Sequence, residues 1–124
     1  MTERTLSLLA GKLLSALKVK GATLDVFLLP DREIRALKAR VIKKKTEPNV
    51  LSFPEPLRFP HPETKKRYLG EVYLNRDILK KSPERTAPLL LHGILHLLGH
   101  DHEKNAREAA KMERLEARTL AKLK

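Results

Sequence analysis

Cysteine and tryptophan are both absent from the 124 residues. Without a thiol there can be no disulfide, no thiolate metal ligand and no cysteine nucleophile, so any metal must be taken by nitrogen or oxygen donors. Such a chain suits a reducing compartment, and the cytoplasm is the expected location. Aromatic residues are scarce at 4%, so the core must be built from Leu, Val, Ile and Ala. No apolar run approaches the roughly 20 residues that a membrane-spanning helix needs, which predicts a soluble protein with no membrane partner. The opening MTERTLSLLAGKLLSALKVKG carries an apolar stripe interrupted by Glu3, Arg4 and Lys12. An amphipathic first helix explains that stretch better than a signal peptide. Acidic residues are the minority, 15 against 26 Lys and Arg, leaving a net charge of +11. That field attracts polyanions, of which nucleic acid is the commonest. A charge-rich surface on a heat-adapted protein accounts for it as well.

What is present fits one compact domain, expected over residues 1–124. Leu6, Leu8, Leu9, Leu13, Leu14 and Leu17 recur at helical spacing, and Gly21 follows as a stop signal. Residues 22–29 read as a strand closed by Pro30. Asp31 is a candidate cap for a short amphipathic helix reaching about Arg40. Residues 49–54 and 68–74 read as strands on either side of a Pro-rich loop, with Asn75 and Arg76 as turn residues. Ser82 and Pro83 are expected to open a helix that is apolar nearly all round and ends at Gly99, the central buried helix. From about Asn105 to Leu123 a surface helix turns Ala109, Met112, Leu115, Leu120 and Leu123 inward.

The chemistry concentrates in residues 92–102, His-Gly-Ile-Leu-His-Leu-Leu-Gly-His-Asp-His. Four residues on a helix return to nearly the same face, so His92 and His96 can direct their imidazoles at one ion. Gly99 can take a positive φ and reverse the chain, which brings His102 back as a third ligand. His100 is a rival, but on an unbroken helix it lies about 12 Å along the axis from His92, too far to share an ion with a metal–nitrogen distance near ~2 Å. Three imidazoles without a thiolate leave one position for water, the pattern of a catalytic zinc site. Nickel or another transition metal suits the same donors. A related zinc-protease motif carries a glutamate general base where this chain has Gly93. Proteolysis is disfavoured accordingly.

Residues 92–102 resemble the signature H-G-x-L-H-L-x-G-Y-D-H of the YbeY endoribonucleases, with His100 where Tyr is usual. Asn49-Val50-Leu51-Ser52-Phe53-Pro54 is similar to that family's T-[DN]-V-L-S-F-P, and Leu69-Gly70-Glu71-Val72 to its L-G-D-I. The resemblance runs over roughly residues 22–115. It implies an α/β fold with a mixed sheet of about four strands surrounded by helices. It implies a metal on His92, His96 and His102, with His92 and His96 in the catalytic centre. It also implies cleavage of single-stranded RNA, maturation of the 3′ end of small-subunit (16S) ribosomal RNA, and ribosome quality control. Ribosomal RNA and the small ribosomal subunit are thus the expected partners. The family's usual Arg before the V-L-S-F-P strand falls at Ile42 by spacing, and nearby Arg40 is the candidate for its role. Asp101 is expected to orient a ligand or cap the turn. Two rivals remain: a zinc metallopeptidase or small-molecule metallohydrolase, and a non-catalytic ribosome assembly factor with a structural metal.

Overall fold

The computed structural model describes residues 2–41, 49–55, 67–100 and 105–123. Helix α1 (Glu3–Ala16) begins at a capping box in which the Thr2 hydroxyl accepts from the Thr5 N–H at 3.2 Å and the Thr5 hydroxyl accepts from the Thr2 N–H at 3.0 Å. Its buried face is Leu6, Ala10, Leu13 and Leu14. The helix stops earlier than Gly21 suggests, because Lys18 itself turns into the left-handed region at φ 61°. Strand β1 (Ala22–Leu29) follows, then α2 (Asp31–Val41), β2 (Val50–Pro54) and β3 (Arg67–Asn75).

The sheet order is β1-β3-β2, with β1 parallel and β2 antiparallel to the central β3. The described residues therefore hold three strands where about four were expected. The three apolar, partly β-branched runs of the chain account for all three, and the fourth rested on the resemblance alone. Leu24 and Val26 of β1, Val50 of β2 and Val72 and Leu74 of β3 are buried in one core with α1, α4 (Thr86–Leu97) and Met112 of α5 (Ala106–Lys122). Strand side chains alternate between faces, so Phe27, Tyr73 and Phe53 lie on the other side. Phe27 stacks on Tyr73 at 5.0 Å and Phe53 meets Tyr73 edge-on at 5.5 Å. On this side the Tyr68 hydroxyl donates to Asp25 Oδ2 at 2.7 Å. Burial first, then that bond and the surrounding carboxylates, hold the Tyr68 hydroxyl well above its usual pKa. Burial, followed by Glu71, does the same to Tyr73.

Three helix starts depart from the reading of the sequence. Asn75 and Arg76 are not a simple turn: Arg76–Lys81 forms α3, capped by the Asn75 side chain, which accepts from the N–H groups of Asp77 and Ile78 at 3.0 and 3.2 Å. Ser82 likewise opens no α-helix. Pro83–Arg85 makes a single 3-10 turn without a side-chain cap, and α4 starts at Thr86, whose hydroxyl donates to the Pro83 carbonyl at 2.7 Å. Asp31 is the first residue of α2 rather than its cap, since the Pro30 carbonyl accepts from Glu33 and Ile34.

Asn75 is 1% exposed, and its amide nitrogen donates to Asp31 Oδ1 at 2.7 Å and Asn49 Oδ1 at 3.3 Å. One side chain thus ties the end of β3 to α2, α3 and the start of β2. Asn75→Ala removes a cap worth ~1 kcal/mol and strands buried acceptors. A loss of about 2–3 kcal/mol is expected in urea denaturation; a loss below about 0.5 kcal/mol contradicts the role. No described helix is long and apolar enough to cross a membrane.

Candidate metal centre

Helix α4 buries most of its residues. Leu89, Leu90, Leu91, Ile94, Leu95 and Leu97 are all buried, packed among α1, α5 and the sheet. His92 and His96 lie on its half-buried side. Their imidazoles meet edge to face with ring centroids 4.6 Å apart, and the two Nε2 atoms stand 3.1 Å from one another.

That spacing is the key geometric fact. Two nitrogens each ~2.05 Å from one tetrahedral ion would be separated by about 3.3 Å. The donor chemistry also fits, because neutral imidazole is a common ligand of zinc and of other transition metals. His92 and His96 therefore suit a shared ion as they stand.

Three features of the fold fix this pair. Gly93, between them, faces the sheet: a Cβ there would lie 2.7 Å from Val72 Cγ1, 3.1 Å from Ser52 Oγ and 3.2 Å from Val50 Cγ2. Absence of a side chain lets α4 approach β2 and β3 closely. The Ser52 hydroxyl then donates to the Gly93 carbonyl at 2.9 Å, pinning the helix to β2, so this serine is engaged in positioning α4. At the other end Gly99 takes φ +99°. The Gly99 N–H bonds the His96 carbonyl at 3.1 Å and the His100 N–H bonds the Leu95 carbonyl at 3.0 Å. This is a Schellman ending, and the expected positive φ at Gly99 is present. Because α4 ends there, His100 does not continue the four-residue row of His92 and His96.

Residues 101–104 lie outside the described residues, and with them the expected third ligand His102 and the orienting residue Asp101. Ile42, where the family's usual Arg falls by spacing, is likewise outside them. Among the described residues no third His, Cys, Asp or Glu completes a metal-binding group. Arg40 is exposed in the last turn of α2, a helix that packs against β1, β3 and α3. Among the described residues no hydrogen bond or ion pair joins it to the histidines.

One residue at the site was missed in the sequence. Glu116 of α5 places Oε1 3.8 Å from Nδ1 of His92, and both side chains are largely buried, at 26% and 17% exposure. Nothing local marks Glu116, since its partner lies on another helix. The register of α5 against α4 alone brings them together.

Comparison with known proteins points to one family. The family model described as "Endoribonuclease YbeY" matches residues 1–124. A protein of Aquifex aeolicus (strain VF5) named Endoribonuclease YbeY is 36% identical over 118 residues, covering 89% of this chain and 76% of its own. Proteins of the same name from Chelativorans sp. (strain BNC1) and Myxococcus xanthus (strain DK1622) are 38% and 39% identical, covering 82% and 94% of this chain. This chain spans 66% and 42% of those two relatives. A family match over all 124 residues, with relatives at these identities, settles the affiliation: the chain belongs to the Endoribonuclease YbeY family.

Proposed function

We propose that the protein is a single-domain, metal-dependent endoribonuclease that cleaves single-stranded RNA during maturation of the 3′ end of small-subunit ribosomal RNA, and in ribosome quality control, in the cytoplasm. Convergence of the His92 and His96 Nε2 atoms at 3.1 Å carries the proposal. His102 is the third ligand in it, and zinc the favoured ion. When bound, the ion supplies a Lewis acid that stabilises charge on the scissile phosphate and lowers the pKa of a bound water. The two imidazoles hold the position through Nε2. The buried leucines behind them make the back of α4 dry, which strengthens any charge interaction at its polar side.

The chain's net charge of +11 draws the phosphate backbone in. RNA is expected on the histidine side rather than on the aromatic face of the sheet, because Asp25 and Glu71 stand beside those rings and carboxylates repel phosphate. Arg40 is retained as a backbone contact or transition-state partner. A peptidase is not supported, since Gly93 offers no general base and its Cβ direction is filled by Val72.

The test compares single-stranded and duplex RNA of one sequence, with protein as purified, after chelation, and after zinc is restored. Cleavage confined to single strands, lost on chelation and regained with zinc, is the expected result. Equal cleavage after complete metal removal contradicts metal dependence; ribosome binding with no cleavage by metal-loaded protein favours an assembly factor. Binding should also weaken with salt: a footprint neutralising about five phosphates gives a log–log slope near −3.5 for a single strand. A slope near zero overturns the electrostatic part.

A further inference from the structure

We infer that Glu116 is a positioning residue that selects the tautomer of His92, holding the proton on Nδ1 so that the Nε2 lone pair faces the site. This rests on reading His92 and His96 as a metal pair. The geometry that carries it is two-sided. On one side of the His92 ring Nε2 faces Nε2 of His96 at 3.1 Å; on the other Nδ1 lies 3.8 Å from Glu116 Oε1. A neutral imidazole carries one N–H, and the group opposite each nitrogen decides where it resides. A carboxylate is an acceptor only, so it favours the proton on Nδ1.

The separation exceeds hydrogen-bond length by under 1 Å, within reach of a small rotation of the glutamate side chain. Glu116 sits on α5, which Met112 anchors in the core at 1% exposure, so the carboxylate is carried by a rigid element. Partners of this kind raise ligand basicity and fix ring orientation, and their loss weakens metal affinity by about 10–100-fold. In this role Glu116 acts through His92.

The experiment uses the full chain labelled with 15N-histidine, in wild type, Glu116→Ala and Glu116→Gln. Imidazole tautomers are read by NMR in metal-free protein at mildly alkaline pH, and zinc affinity by competition with a chromophoric chelator. His92 is expected as the Nδ1–H tautomer in wild type and as a mixture in Glu116→Ala, with zinc bound about 10–100-fold more weakly. Glu116→Gln keeps an acceptor oxygen and should lose less; if the alanine variant does not fold, a several-fold loss in the glutamine variant carries the same conclusion. Unchanged zinc affinity in both variants, or an Nε2–H tautomer in wild type, overturns the assignment. Should wild type take up no zinc, the metal reading fails separately, while a tautomer that shifts only when Glu116 is replaced still supports its positioning role.

Discussion

His96→Ala is expected to abolish zinc binding and lower RNA cleavage by about 10³-fold while leaving the fold intact. Loss of a ligand removes charge stabilisation worth several kcal/mol at the phosphate, and ~4 kcal/mol corresponds to that factor. The fold survives because His96 is only half-buried and the α4 side of the core is built from Leu90, Leu91, Ile94 and Leu95. Alanine is also the best helix former. A cleavage assay beside a thermal unfolding curve checks both halves. A stable variant that cleaves at the wild-type rate contradicts the placement of catalysis here.

The second large effect is expected at Gly93, and it concerns why the chain has no glutamate there. Gly93→Ala gains helix propensity of about 1 kcal/mol. Against this, its Cβ would meet Val72 Cγ1 at 2.7 Å, and Val72 is fully buried on the central strand. A β-branched side chain in a packed core has no second rotamer to escape into, and overpacking costs about 1–3 kcal/mol. The net result is a loss of about 1 kcal/mol, together with strain on the Ser52 bond to the Gly93 carbonyl. Gly93→Glu adds a carboxylate pressed between helix and sheet, and a loss of about 4 kcal/mol or more is expected. It should not create a protease-like base, because the side chain points away from the imidazoles and toward β2 and β3. Chemical denaturation of both variants checks the order. A Gly93→Glu protein as stable as wild type would contradict the packing of α4 on the sheet.

Some of this was legible in the residues alone, and the division follows from range. Helix α1 announces itself by a 3.6-residue period sustained over several turns, α4 by a long apolar run that ends at Gly99, and the three strands by short apolar runs bounded by Pro, Gly or Asn. Their ends were less legible. α1 ends on Lys18 in a left-handed conformation that a lysine gives no reason to expect. Helix α3 was missed because Arg76-Asp77-Ile78-Leu79-Lys80-Lys81 is under two turns long, too short for a period to emerge. Its cap, Asn75, also suits a turn. The sheet order β1-β3-β2 could not be read either, since pairing is a long-range choice.

The same division runs through the site. His92 and His96 are visible because four-residue spacing is a property of one helix, and Gly99 because a helix stop is local. Glu116 is not, since its relation to His92 depends on how α5 lies against α4. The missing glutamate at Gly93 could be noticed in the sequence, but its cause, the close approach of Val72, Ser52 and Val50, belongs to the packing of α4 on β2 and β3.

The most direct measurement is anomalous diffraction at the zinc edge from crystals of the zinc-loaded protein. The account predicts one strong peak within about 2.1 Å of Nε2 on both His92 and His96. No peak between those rings, with zinc bound elsewhere on the chain, would contradict it.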